Sequence, residues 1–131
     1  MNLILGQEQL DRIYDALKEN LIEIGVRSAM LIDTAGNIIV SVDNGNDMRD
    51  IYSLAALAAA NFGAMSSMAR IVGEDEFSLL FHKGEKDSIY FSKINDDFLL
   101  INIFCNQISL GYLRLKVAKV TEDLIPVLDT A

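Results

Sequence analysis

Cysteine and proline are scarce in this sequence, and each shortage excludes a class of protein. The 131 residues contain one cysteine, Cys105, so no disulfide can form within the chain. Together with a start that lacks a basic segment, this predicts a reducing, cytoplasmic location. One proline and 8 glycines are too few for a disordered chain. No apolar run approaches the ~20 residues of a membrane span, so no membrane insertion is expected.

Positive charge is also in short supply, with 11 Lys and Arg against 19 Asp and Glu and a formal net charge of -8. Nucleic-acid phosphates and anionic membranes repel such a chain, so neither is expected as its main partner. The sequence is 51% hydrophobic, which is enough for a real core. Its length suits one domain and no linker or repeat divides it, so residues 1–131 are expected to form a single domain.

Recognisable catalytic motifs are missing as well. Neither GxxxxGK[ST] nor GxGxxG occurs, so no phosphate-binding loop is predicted. His82 is the only histidine and has no cysteine near it, and Cys105 follows an apolar run, which is typical of a packed thiol. The acidic groups 74–76 and 96–97 lack the alternation of a calcium loop and are assigned to solvated turns. We therefore expect no catalytic residue, no metal and no cofactor.

The spacing of apolar residues predicts the element order αββαβββα. Helices are predicted over residues 8–24, 48–72 and 111–128, and strands over residues 29–33, 38–42, 77–82, 88–94 and 98–104. Short turns between consecutive strands favour antiparallel pairing, with the helices against the sheet, in an α+β sandwich. Asp47 is the predicted N-cap of the central helix and Gly73 its end, and Pro126 is expected to fray the last helix. A short extended piece before that last helix is left open.

The predicted helix 48–72 is apolar around its whole circumference. At about 100° per residue, one stripe suits packing on the sheet: Ile51, Leu54, Ala55, Ala58, Phe62, Met65, Ala69 and Val72. A flank carries Leu57, Ala64, Met68 and Ile71, and the opposite side carries Tyr52, Ala56, Ala60, Gly63 and Ser67, with Arg49 and Arg70 at the ends.

A domain of this size cannot cover every side of such a helix. Part of the helix surface is therefore expected to be buried against other chains. Leu57, Met68 and Ile71 suit a homodimer interface, since the larger flank residues fit a two-fold contact. The small residues opposite the core stripe suit close approach by a second protein. The alternative, in which the C-terminal helix covers this side within one chain, stays open.

Several segments resemble the roadblock/dynein light chain family and, within it, its bacterial MglB branch. They are residues 31–40 (LIDTAGNIIV), 54–61 (LAALAAAN), 69–74 (ARIVGE), Gly84 before 89–91 (IYF), 98–104 (FLLINIF) and 110–115 (LGYLRL). The resemblance covers nearly the whole chain and rests on hydrophobic patterns with a few glycines. It implies a five-stranded antiparallel sheet flanked by helices, in a homodimer whose central helices lie side by side.

The resemblance also implies a function. In the MglB branch, two copies bind one Ras-like small GTPase of the MglA type over the helix pair and stimulate GTP hydrolysis without inserting a catalytic residue. Carried over by position, the partner-binding residues are Ala56, Ala59, Ala60, Gly63, Ala64 and Ser67. Arg70 lies at the end of this predicted face.

Three alternatives remain. One is an arginine finger over the partner's phosphates, for which the candidates are Arg12, Arg27, Arg49, Arg70 and Arg114; arginines at the rim of an interface more often steer association. Another is a non-catalytic adaptor that dimerises within a larger complex. The last is a ligand sensor, which would need a polar pocket of which the apolar strands give no sign.

Overall fold

The computed structural model describes residues 5–45, 49–77 and 80–129. The helices are α1 (Gln7–Asn20), α2 (Ile51–Ile71) and α3 (Leu110–Asp129), with a 3₁₀ turn at Ile22–Ile24. The strands are β1 (Ser28–Asp33), β2 (Ile38–Asp43), β3 (Leu80–Lys83), β4 (Asp87–Lys93) and β5 (Phe98–Cys105). This order confirms the predicted succession αββαβββα.

The strands form one five-stranded sheet in the order β2-β1-β5-β4-β3, and every neighbouring pair is antiparallel. β5 lies in the middle, where Leu100 faces Leu31 of β1 and Ile101 faces Phe91 of β4. Every residue of β5 except the last is buried, because both faces of a central strand are covered. The structure therefore confirms the five-stranded antiparallel sheet flanked by helices.

Alternate residues of the strands point to two separate cores. Ala29 and Leu31 of β1 pack in the core made with α1 and α3, whereas Met30 and Ile32 pack in the core made with α2. A hydrogen bond joins α1 to α3, because Gln9 Nε2 donates to the Val127 carbonyl at 3.3 Å. Since α3 lies on the opposite face of the sheet, it does not cover α2, and the single-chain alternative is wrong.

Several predicted bounds are corrected by the structure. The central helix begins at Ile51 rather than 48, with Asp50 as its N-cap, and the predicted cap Asp47 lies outside the described residues. Val72 was assigned to the core stripe, but it follows the helix and is 66% exposed. The third strand begins at Leu80, so Phe77 lies before it.

The last helix is longer than predicted. α3 begins at Leu110, with no extended piece before it, and runs past Pro126 to Asp129. A proline removes one hydrogen bond to the carbonyl four residues earlier. That carbonyl belongs to Glu122, an exposed residue, so water can replace the missing partner. Val127 and Leu128, both buried, continue to hold the last turn on the sheet.

The turn between β1 and β2 lies directly against α2. Asp33 orders this turn, because its Oδ1 accepts hydrogen bonds from the backbone N–H of Ala35 at 3.0 Å and of Asn37 at 2.9 Å. Gly36 has φ +91°, and a Cβ placed there would lie 2.9 Å from the Ala56 Cα. Glycine thus serves both the left-handed conformation and the close approach of the turn to the helix.

Replacing Gly36 with Ala is expected to destabilise the protein more than replacing Gly45 with Ala. Gly45 has nearly the same φ, +90°, but a Cβ there meets no atom within 4 Å. Both variants place an L side chain in the left-handed region, at about 1–2 kcal/mol. Only Gly36→Ala adds overpacking against α2, about 1–3 kcal/mol more. Thermal unfolding should show the larger drop in Tm for Gly36→Ala, and equal drops would contradict the close contact.

Candidate partner-binding surface

The ends of α2 are defined by local hydrogen bonds. At its start, Asp50 Oδ1 accepts from the Ser53 backbone N–H at 3.1 Å and Asp50 Oδ2 accepts from Ser53 Oγ at 2.7 Å. The bond from the Ser53 hydroxyl is the main cause that lowers the pKa of Asp50 below its usual 3.8. At the end, Gly73 has φ +88°, and the Glu74 N–H donates to the Ala69 carbonyl at 2.8 Å, which closes the last turn.

One side of α2 packs on the sheet through small residues. Ala55 and Ala58 are buried in the core that contains Met30 and Ile32 of β1, and Ala69, nearer the end of the helix, is buried as well. Larger residues border them half-buried: Ile51, Leu54, Phe62 and Met65. The predicted core stripe is thus on the sheet side except for Val72. Alanine in the middle of the contact lets the helix axis lie close to the strands.

The opposite side of α2 is exposed to water. Of the predicted partner-binding residues, Ala56, Ala60, Gly63, Ala64, Ser67 and Arg70 are exposed, and these six are called the outer face of α2 below. Ala59 differs from them, since it is half-buried and packs against the core between helix and sheet. The structure therefore places six of these seven residues on one accessible surface.

Large apolar side chains are exposed beside the outer face. Leu57 is 68% exposed, Met68 50% and Ile71 84%, and these three are called the apolar flank. Sequence reasoning missed Val72 and Phe77, two further exposed apolar residues that follow the helix in the chain. Gly73 was the signal in the sequence for the exposure of Val72. A helix that ends just before this glycine leaves Val72 outside its core side. Large apolar side chains exposed together on one side of a helix indicate a site of association.

By length and composition alone, α2 is the one helix in the described part of the chain that would suffice to cross a membrane. Its 18-residue window has a mean hydropathy of 1.2, and 17% of that window is buried. The core helices of soluble proteins meet the same criterion, although they are mostly buried. Since Ala55 and Ala58 hold α2 on the sheet, the exposed apolar residues of the helix form a surface on a folded domain.

Arginines lie at both ends of α2, as the sequence predicted, but they are held differently. Arg49 Nη2 contacts Asp87 Oδ2, and Arg27 Nε contacts Asp87 Oδ1 at 2.8 Å. Arg70 Nη2 donates to Ser67 Oγ at 3.3 Å on its own helix. Asp87, the first residue of β4, was not singled out from the sequence, because only the assembled sheet brings it next to the segment before α2.

The other candidates for chemistry are scattered. His82 is exposed and meets the Phe91 ring edge-on at 5.6 Å, and Cys105 is half-buried at the end of β5. Glu76 pairs with Lys93, which also contacts Asp96 at 2.9 Å, and the hydrogen bond to Glu76 is the main cause that raises the pKa of Lys93. Within residues 5–45, 49–77 and 80–129, no three His, Cys, Asp or Glu side chains are grouped to hold a metal.

Comparison with known proteins gives a consistent set of matches. The sequence model of the Roadblock/LC7 domain matches residues 13–104. The gliding protein MglB of Thermus thermophilus is 28% identical, with a TM-score of 0.89 over 99% of this chain and 98% of that chain. MglB of Myxococcus xanthus is 31% identical, with a TM-score of 0.86 over 98% of this chain and 96% of that chain.

A further MglB structure, described as having a tetrameric arrangement, is 27% identical, with a TM-score of 0.90 over 98% of this chain and 96% of that chain. No curated protein sequence matches the chain. The similarity to the MglB structures therefore extends over almost all of both chains and includes all three helices.

Asp50 is expected to contribute stability that is present at neutral pH and lost in acid. Because its pKa is lowered in the folded state, the contribution is complete above 3.8 and disappears as the pH falls through the lowered value. Denaturant unfolding should find Asp50→Ala less stable than the wild type at about pH 7, with a difference in stability that narrows as the pH falls below 3.8. Asp50→Asn, which keeps an acceptor, is the control. A gap that does not change with pH would contradict the assignment.

Proposed function

Because the chain belongs to the Roadblock/LC7 domain family, we propose that it is a homodimeric regulator that binds a Ras-like small GTPase of the MglA type and stimulates its GTP hydrolysis without supplying a catalytic residue. The observation that carries this proposal is α2, a long helix whose outer face and apolar flank are both exposed. The similarity to MglB proteins supports a GTPase of the MglA type as the partner. Such a partner implies a cytoplasmic location.

The apolar flank supports the dimer. Burying Leu57, Met68 or Ile71 contributes about 1.5–3 kcal/mol per side chain. A two-fold contact buries each of them twice, since the same patch is used by both copies. With the flanks of two α2 helices against each other, the two outer faces form one continuous platform.

The outer face supports a regulatory rather than a catalytic role. Its alanines and Gly63 keep the surface shallow, so a partner's backbone can approach closely over a long line of contact. Binding of this kind favours the partner conformation that fits the platform, which shifts the partner's own equilibrium. Arg49 already contacts Asp87, and a reach toward a partner's phosphates would break that ion pair. We therefore propose that the arginines steer association.

The dimer is tested by charging the apolar flank. Leu57→Glu is expected to convert a dimer of about twice 14.5 kDa into a monomer at micromolar concentration, as measured by light scattering. The reason is that burial of an unpaired carboxylate is strongly unfavourable. Leu115→Glu on α3 is a matched control, because Leu115 is 67% exposed and Leu57 68%. A wild type that stays monomeric at high concentration would refute the dimer.

The docking platform is tested by enlarging Gly63. A Cβ at this position meets no atom within 4 Å, so Gly63→Ala and Gly63→Arg should both leave the domain folded. Gly63→Arg should abolish binding of the GTP-loaded MglA-type GTPase, since a long charged side chain clashes and would be buried without a partner. Gly63→Ala should still bind and should be more stable, by about 0.5–1 kcal/mol. Normal binding by Gly63→Arg would place the partner elsewhere, and a wild-type dimer that binds no GTPase would favour the adaptor role.

Arg70→Ala separates steering from an arginine finger. If the arginines only steer, this variant should bind more slowly, with the difference shrinking at high salt, and should reach the full hydrolysis rate at saturation. Loss of a finger would instead reduce the saturated rate by about 10³-fold or more with binding kept. Single-turnover hydrolysis at saturating regulator distinguishes the two results. Arg114→Ala is the control, since it removes an exposed arginine from α3, on the other face of the sheet.

A further inference from the structure

A cleft of about 550 Å³ opens at the end of the sheet where β1 ends and β5 begins. Asp33, the last residue of β1, lies opposite Phe98, the first residue of β5. Leu5, just before the cap of α1, and Leu10, near the start of that helix, form another wall. None of the outer-face or apolar-flank residues lines this cleft, so it is distinct from the proposed GTPase site. Its volume is within the ~300–1,000 Å³ of ligand sites.

The floor of the cleft is apolar and partly exposed to solvent. Leu5, Leu10, Ile38 and Ile39 are half-buried and pack against the two cores from outside, and Phe98 is buried behind them. Side chains in this position lose their remaining contact with water only when something lies over them. An occupant with aliphatic groups would therefore gain from burial here.

Two carboxylates lie at the same end of the sheet. Asp33 is engaged within the turn, because Oδ2 accepts from Asn37 Nδ2 at 3.0 Å while Oδ1 accepts the two backbone bonds described above. The Asp97 carboxylate has no hydrogen-bond or ion-pair partner in the described part of the chain, although its backbone N–H is bonded to Asn95. The cleft thus combines an apolar floor with a negative rim that has unused acceptor capacity.

We propose that this cleft binds a short segment of a second protein partner that presents a lysine or arginine between aliphatic side chains. The cation pairs with Asp97, next to Asp33, while the aliphatic groups cover Leu10, Ile38 and Ile39. A purely apolar segment would desolvate the carboxylates without pairing them, and an acidic one would be repelled. This proposal does not depend on the identity of the GTPase, since it concerns a different surface.

The position of the cleft relates it to α2. Asp33, Thr34 and Ala35 line the cleft, and the next residue, Gly36, lies against the backbone of Ala56 on the outer face. A segment in the cleft therefore contacts the same turn that a protein on the outer face would approach from the other side. The two sites share a wall without sharing a binding residue.

The test uses the full chain and a soluble octapeptide of alternating leucine and arginine, followed by methyl NMR. Its addition should shift the methyl signals of Leu10, Ile38 and Ile39 and leave those of Leu57 and Met68 unchanged. Peptides alternating serine with arginine, or leucine with glutamate, should bind much more weakly. Equal binding of the serine–arginine peptide would mean non-specific attraction to an acidic protein, and absence of shifts at the cleft would also overturn the proposal.

A matched pair of variants tests the charge. Asp97→Asn should weaken the peptide about two- to fivefold, the range expected for one exposed ion pair. Asp96→Asn should not, although it removes the same charge from the neighbouring residue, because Asp96 does not line the cleft and contacts Lys93. Equal effects of the two variants would refute a specific role for Asp97. Binding that occurs only after deletion of residues 1–4 would show that this chain's own start occupies the cleft, and the proposal would fail.

Discussion

A sheet that is apolar on both faces must be covered on both. The rest of this structure depends on the unequal number of helices that cover the two faces. β5 is buried from Phe98 to Phe104, so neither face can be left to water. Two helices, α1 and α3, cover one face, and α2 alone covers the other. Five strands at about 4.8 Å spacing are wider than a single helix of about 10 Å. The face with α2 is therefore only partly covered within one chain.

The composition of α2 follows from this position. Alanines on the sheet side bring the helix close to the strands, and alanines with Gly63 on the outer face leave a shallow surface. Between Asp50 and Arg70 the helix carries no charged residue, so nothing in it opposes burial of the outer face by another protein. Such a helix is stable on the sheet and still exposes Leu57, Met68 and Ile71. Packing on the sheet on one side and the proposed burial by other proteins on the other sides together account for a helix that is apolar all round.

The β1–β2 turn connects the outer face of α2 with the cleft. Asp33 orders the turn, Gly36 lets it lie against Ala56, and the same turn forms a wall of the cleft beside Asp97. The contact is tight because a single added carbon at Gly36 would collide with the helix backbone. A protein that regulates one partner through α2 would in this way carry a neighbouring surface for another, on an element that both touch.

Features that act over a few residues were predictable from the chain itself. The 3.6-residue period placed Ala56, Ala60, Gly63 and Ser67 on one side of α2, and glycines marked where helices and turns end. The order of elements was also predictable, from the spacing of apolar residues. The five-stranded sheet was predictable through a family resemblance. The cap of α2 was predicted less well, because Asp47 and Asp50 are both suitable residue types; the helix begins at Ile51, where Asp50 accepts the hydrogen bonds from Ser53.

Features that join distant parts of the chain required the folded molecule. The pairing of β1 with β5, the contact of Arg49 with Asp87, and the presence of Asp33 and Asp97 in one cleft all involve residues far apart in sequence. The face on which α3 packs belongs to the same group, and it decides that the outer face of α2 is open. Helical periodicity specifies which side chains share a face, but whether that face meets water depends on where every other element lies, and that is a property of the whole sheet.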